Sequence, residues 1–388
     1  MRILVYLYYP LFAEHLAGGL QVSTRSLIAG FIERGHQVRV LCPESDARPL
    51  FQAPGLEVLP VLREPRAATI DPADVSHNLN ETRRAAEWAD VVWSLDRALP
   101  AEVARPVMLS LSAVCYENEL AALFGLTWDH LVVPSGYVRR LVDDWLPRES
   151  PRLGHRGRSS IPPPLDPAFR PQADTTALRS KLGFGFDRDH RYLLFPHRPE
   201  AGKGHELALQ VLAELLRHDE RFHLLIPRPP LSRRIDVASE ANYIRRVEGE
   251  ARRLGLADRV TFHDWVVYSD LPAYYSIGER CLFLSRLPEG FGLSLVQSIA
   301  CGTPVVSSGM GALRETVPPG LGHIIAPSSD PAAVAQAVLT GCPESELRRG
   351  QEWVGEAYGS ARIVGAYLDC FAAAARSRDT GRARAARA

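Results

Sequence analysis

Two groups of residues in this chain have the types and spacing for chemistry on a phosphorylated polyol. The first lies in the run Glu289-Gly290-Phe291-Gly292-Leu293-Ser294-Leu295-Val296-Gln297, which continues through Ala300-Cys301-Gly302 to Val306. A glycine-flanked turn opens a short apolar helical stretch, and Gly302 stops it before a strand at Pro304–Val306. Such a turn presents unpaired backbone N–H groups and the positive end of the helix dipole. A phosphate sits well there. The amides of Phe291, Gly292 and Leu293 would hold it, and the carboxylate of Glu289, just outside the turn, would reach neutral hydroxyls of the same ligand. A phosphate cradle beside a hydroxyl-reading carboxylate is the pattern of a nucleotide-sugar site. Taken singly, Glu289 is a favourable charge near a helix start and Gly302 a helix cap. Neither plain role explains the whole run.

The second group is Arg198 and Lys203-Gly204, within Phe195-Pro196-His197-Arg198-Pro199-Glu200-Ala201-Gly202-Lys203-Gly204-His205. Arginine offers a fork to two oxygens and lysine a compact charge, which together suit a diphosphate. The spacing is not that of a Walker loop. By itself the segment reads first as a surface loop with solvated cations. Asp187-Arg188-Asp189 has the form of a D-x-D metal motif, but it lies among Gly185, Phe186 and His190, where turn-forming Asp is unremarkable. No metal is assigned to it.

These groups need rigid strands behind them. Apolar runs at Ile3–Leu7, Val38–Cys42, Val58–Leu62, Val91–Leu95, Val107–Leu111 and Leu131–Pro134 read as strands, with helices over Leu20–Arg34 and from Tyr137. Continuous apolar strands between helices imply a parallel sheet covered on both faces. Pro147 to Pro171, with Pro162-Pro163-Pro164 inside it, interrupts regular structure. The alternation then restarts at Tyr192–Phe195 and runs through Phe222–Ile226, Val260–Phe262, Cys281–Leu284 and Pro304–Val306. The reading is α/β, two doubly wound Rossmann-like domains joined near residues 160–170. A helical pattern fills Glu344 to Arg376, and the Arg/Ala-rich tail 377–388 has no apolar period and reads as disordered.

The 388 residues suit two domains, and 45 basic against 45 acidic residues give no global pull towards nucleic acid. No apolar run approaches the ~20 residues that span a bilayer. Met1–Leu7 reads as a first strand, not a signal peptide. The six cysteines are scattered without a C-x-x-C pair, so they read as reduced, buried small hydrophobes and the compartment as the cytoplasm. Arg148, Arg152, Arg156 and Arg158 form a small basic stretch that reads as a solvated loop, with peripheral membrane contact as the alternative.

The run from Glu289 to Val306, together with Arg198 and Lys203-Gly204 upstream, resembles the signature of retaining, family-4-like glycosyltransferases of the GT-B fold. The resemblance implies a donor-binding second domain (166–355), an acceptor-binding first domain (1–165), and a last helix (356–376) that crosses back onto the first domain. It implies that Arg198, Lys203 and Glu289 are catalytic and that Gly18 and Gly19 close over the donor phosphates. Val266 would line the base pocket, and Ser135 would stand near the acceptor, although a helix N-cap is its simpler role. The substrates implied are a nucleotide-diphosphate sugar and a hydroxyl acceptor: a natural product, a glycolipid or a polysaccharide precursor. No cofactor and no metal are implied, because cationic side chains and the helix dipole would neutralise the leaving diphosphate.

Three departures stand out. Gln297 replaces a glutamate that in the family accepts from the ribose hydroxyls; Ser112 holds the place of a frequent histidine; Pro227-Arg228-Pro229 replaces a glycine pair. They leave room for a non-catalytic or pseudo-glycosyltransferase that only binds sugar nucleotide. A generic nucleotide-binding α/β protein is a third alternative. The sequence fixes neither base, sugar, acceptor nor oligomeric state.

Overall fold

The computed structural model describes residues 1–7, 19–44, 52–63, 71–125, 127–182, 189–229, 237–327 and 329–385. They divide into two units, Met1–Pro164 with Ser360–Ala388, and Leu165–Gly359.

The first unit carries strands β1 (Arg2–Leu7), β2 (Gln37–Pro43), β3 (Leu56–Leu62), β4 (Val91–Leu95), β5 (Val107–Ser110), β6 (His130–Val133) and β7 (Gly157–Ser160). Its helices are α1 (Gly19–Glu33), α2 (Pro72–Trp88), α3 (Glu117–Phe124) and α4 (Gly136–Glu149). The sheet order is β3-β2-β1-β4-β5-β6-β7, with β1 in parallel register between β2 and β4, so that Val5 faces Val40 on one side and Trp93 on the other. Side chains buried on both faces of the central strands explain their unbroken apolar sequences.

The second unit repeats the plan with β8 (Arg191–Leu194), β9 (Phe222–Pro227), β10 (Val260–His263), β11 (Arg280–Phe283), β12 (Val305–Ser307) and β13 (His323–Ile325). Around them lie α5 (Thr176–Leu182), α6 (His205–Leu216), α7 (Val237–Arg253), α8 (Leu271–Ser276), α9 (Leu293–Ala300), α10 (Leu313–Thr316), α11 (Pro331–Thr340) and α12 (Glu344–Tyr358). The order is β10-β9-β8-β11-β12-β13. Its core joins Leu193, Phe195, Leu209, Leu212, Leu224 and Leu282. Each such fully buried side chain contributes about 1.5–3 kcal/mol.

The chain ends in α13 (Ser360–Ala385), which packs in the first unit. Tyr367 and Phe371 meet Phe31 and Trp93 edge-on, with centroids 5.3 Å apart for Trp93–Tyr367 and 5.4 Å for Phe31–Phe371. Aromatic pairs in this geometry add about 0.5–1.5 kcal/mol each beyond area burial.

Five details differ from the sequence reading. Pro147 lies inside α4, near its C-terminal end, and the interrupted stretch contains β7, which pairs with β6. Its sequence Gly-Arg-Ser-Ser has no apolar alternation to announce a strand. The helical pattern from Glu344 is two helices parted at Gly359, and the units change at Pro164/Leu165 and Gly359/Ser360, not at 165/166 and 355/356. Helical backbone continues to Ala385, although 377–388 reads as a disordered tail; alanine and arginine are strong helix formers, and this outweighs the missing apolar period. Among the described residues no helix is long and apolar enough to cross a membrane.

Candidate active site

In the second sheet the strand order reverses between β8 and β11. Ligands of open α/β sheets sit beyond the carboxyl ends of strands at such a point. Arg198 and Lys203 lie on the loop that leaves β8, and Glu289 on the loop that leaves β11. The structure brings two of them together: Lys203 Nζ is 2.9 Å from Glu289 Oε1, with side chains only 14% and 20% exposed. The loops are also tied by the Arg286 amide donating to the Gly202 carbonyl at 2.7 Å. Arg198 is held more loosely, 3.7 Å from the Glu200 carboxylate and 38% exposed.

Two glycines make this approach possible. Gly204 caps α6 at φ 95°, and a Cβ there would stand 2.3 Å from the Leu284 carbonyl oxygen at the end of β11. Gly292 caps α9 at φ 92°, where a Cβ would meet Leu313 Cδ2 at 2.5 Å. Both lie in the left-handed region that glycine enters without cost. The Gly292 conformation turns the chain directly into α9, where the Leu295 amide donates back to the Gly292 carbonyl at 3.0 Å and the amides of Leu293 and Ser294 precede the first helical bond. The amides of Phe291 and Gly292 also have no hydrogen-bond partner among the described residues. A positive helix end thus stands beside one cation and one carboxylate. Sequence reasoning passed over two neighbours, His197 and His205, which burial and the Lys203 charge push down to about 3. They stay neutral, so the charge offered to an anion comes from Lys203 and Arg198.

The other expected site residues scatter. Gln297 is buried on α9 and makes no side-chain hydrogen bond among the described residues. Val266 is buried just after β10. Arg228, in the place of the missing glycine pair, donates to the Phe262 carbonyl and pairs with Glu248 at 3.0 Å. Gly19 opens α1 in the first unit, while Gly18 lies outside the described residues. Ser135 caps α4, its Oγ accepting from the Val138 amide at 3.2 Å. Of the D-x-D run, Asp187 and Arg188 lie outside the described residues. Three arginines of the basic stretch are engaged: Arg148 with Asp144, Arg158 with Asp143, and Arg156 over the Trp128 ring.

Ser112 has unexpected company. The first sheet reverses between β1 and β4, and Asp96, directly after β4, bonds to Ser112 beyond β5. Ser112 Oγ is 2.6 Å from Asp96 Oδ2 and 3.0 Å from Glu119 Oε1 on α3. Both carboxyl groups are buried, at 3% and 1% exposure. The only signals for them in the sequence are an Asp closing an apolar strand and a Glu three residues past Tyr116, and both are commonplace.

Residues 179–349 match the model of the family described as glycosyl transferases group 1. A D-inositol 3-phosphate glycosyltransferase of Geodermatophilus obscurus is 29% identical over 220 residues, 55% of this chain and 47% of that protein. A 2-deoxystreptamine glucosyltransferase of Streptomyces kanamyceticus is 26% identical over 54% of this chain and 52% of its own length. The matches thus span about half the length of these curated relatives. Sucrose-phosphate synthase from Thermosynechococcus elongatus superposes with a TM-score of 0.74 at 21% identity, covering 96% of this chain and 99% of that one. Anabaena HepE in complex with UDP-glucose superposes at 0.73 and 16% identity, covering 96% and 100%. With two parallel α/β sheets in the chain itself, these likenesses establish the GT-B fold.

Proposed function

We propose, from the match of residues 179–349 to the glycosyl transferases group 1 model, that the chain is a retaining glycosyltransferase acting on a nucleotide-diphosphate sugar. The observation that carries the reading is the Lys203–Glu289 pair at the switch point of the second sheet, beside the unpaired amides that open α9. Lys203 and Arg198 stabilise charge building on the leaving diphosphate, and the amides of Phe291, Gly292 and Leu293 share that task. Glu289 accepts from sugar hydroxyls and fixes the anomeric carbon. Gln297 meets the ribose and Val266 the base.

The departing phosphate oxygen takes the acceptor proton on the face from which it leaves, so no dedicated protein base is required. The C–O bond to the diphosphate breaks as the acceptor oxygen bonds to the anomeric carbon on the same face. In this reading the cations and the helix end neutralise the leaving group without a metal ion. The two curated relatives are named for polyhydroxylated ring acceptors, and HepE was crystallised with UDP-glucose. These support a uridine donor as the first to try and a polyol acceptor, with Ser112 and Ser135 on the acceptor side. The described cysteines are all free, which fits a reducing cytoplasm.

The test is transfer from a panel of α-linked sugar nucleotides to polyol acceptors, with the anomeric configuration of the product read by NMR. An α-linked product supports the reading. An inverted product refutes retention, and sugar-nucleotide binding without any transfer would favour the non-catalytic alternative.

A further inference from the structure

The hydroxyl of Ser112 has one proton and two carboxyl groups to satisfy. It lies 2.6 Å from Asp96 Oδ2 and 3.0 Å from Glu119 Oε1, and its amide donates to Asp96 Oδ1 at 2.6 Å. If both carboxyls were ionised, one of the two hydroxyl contacts would set a hydroxyl lone pair against a carboxylate inside the protein. Every contact is satisfied if one acid keeps its proton. Glu119 is the better anion, because its Oε2 accepts the amides of Cys115 at 3.2 Å and Tyr116 at 3.3 Å. Amide donors stabilise a carboxylate.

We propose that Asp96 is a protonated carboxylic acid at mildly acidic pH, donating to Ser112 Oγ while Ser112 donates to ionised Glu119, so that this relay is a proton-gated latch on the loop leaving β5. The inference stands apart from sugar transfer and concerns the first unit alone. The latch joins three separate pieces of chain: the end of β4, the segment after β5 and the start of α3. Asn118 Nδ2 donates to the Asp96 carbonyl at 2.8 Å and closes the same loop from its other side. Asp96 also sits at φ 54°, a left-handed conformation that costs energy in most side chains and that Asp and Asn tolerate best. The charged and titratable groups around it are Glu119 on α3, the adjacent Arg97 and Tyr367 on α13.

Burial and the neighbouring Glu119 push Asp96 up to about 7, against the ordinary carboxylate range. An unfolded Asp loses its proton near 3.9. Between about pH 4 and about pH 7 the folded chain therefore keeps a proton that the unfolded chain has lost, and stability falls as pH rises. Above about 7 the proton goes to water, two anions face one hydroxyl, and the latch is released.

Asp96→Asn tests this, since its amide mimics the protonated acid and suits the positive φ. Melting temperatures of the natural chain and D96N are compared at about pH 5 and about pH 8.5, with infrared spectra of the natural chain at both. The expected result is a shift in favour of D96N that grows from the lower to the higher pH, and a protonated-carboxyl band at pH 5 that is lost at pH 8.5 and absent from D96N. Glu119→Gln removes the neighbouring anion and should move the natural chain's pH step downwards. A D96N shift that is the same at both pH values, with no protonated-carboxyl band, would overturn the proposal. So would a pH step that E119Q leaves in place.

Discussion

The two sheets reverse strand order at corresponding places, and the chain equips those places in opposite ways. Beyond β8 and β11 the second unit gathers left-handed glycines, a helix end, Lys203 and Arg198, each cation facing one carboxylate, Glu289 and Glu200. The first sheet reverses between β1 and β4, and beyond β4 and its outer neighbour β5 the first unit gathers two buried carboxyl groups around a serine. The same backbone plan thus gathers positive groups at strand ends in one unit and buried acids in the other. What sits at a switch point is decided by a few loop residues, not by the fold.

Several substitutions sharpen that contrast. The largest effect is expected from Lys203→Ala, which removes a preorganised cation. A lost transition-state donor of this kind costs about 2.7–4 kcal/mol, roughly 10²–10³ in kcat. Activity assays with circular dichroism as a folding control check it. Full activity in folded protein would dissolve the comparison. Gly204→Ala comes next: at φ 95° and 2.3 Å from the Leu284 carbonyl, the added Cβ must displace backbone. Strain of this type costs about 1–3 kcal/mol, to be read as a lower melting temperature together with weaker nucleotide binding.

Ser135→Ala removes the cap of α4 and should cost about 1 kcal/mol in denaturant unfolding. Under the N-cap role, kcat/KM stays unchanged; a fall in kcat/KM larger than the stability loss would place Ser135 on the acceptor. The smallest change belongs to Gln297→Glu, which restores the family's usual acceptor. Donor affinity should hold or improve by about 1 kcal/mol at most, and a large loss would mean that the amide is needed as a donor.

The cationic switch point was far more legible in the sequence than the acid cluster of the first unit. Lys203 and Glu289 stand in loops rich in glycine, and glycines beside an apolar helix announce a special backbone before any partner is known. The identity of the Lys203 partner was not legible, since 86 positions separate the two residues and only adjacent β8 and β11 make them meet. Asp96 and Glu119 carried no such marker, and Ser112 stood out only as a departure from a histidine frequent in the family. Each is ordinary in its own element, and their meaning arises from the pairing of β4 with β5 and the entry of α3. Similar reasons hid β7, whose four residues lack apolar alternation, and the break at Gly359, which falls inside one continuous helical pattern. The apolar strands and the helix over Leu20–Arg34 were legible because burial on a sheet imposes a strict pattern on sequence.

The central claim is that the second unit holds a nucleoside diphosphate through Arg198, Lys203 and the opening of α9. Calorimetric titration of the full chain with UDP, GDP, dTDP and ADP in EDTA, repeated with Arg198→Ala, tests it most directly. Micromolar binding of one nucleotide, lost or greatly weakened in the variant, is the predicted result. Binding that the variant keeps in full, or no binding of any nucleotide, would contradict it.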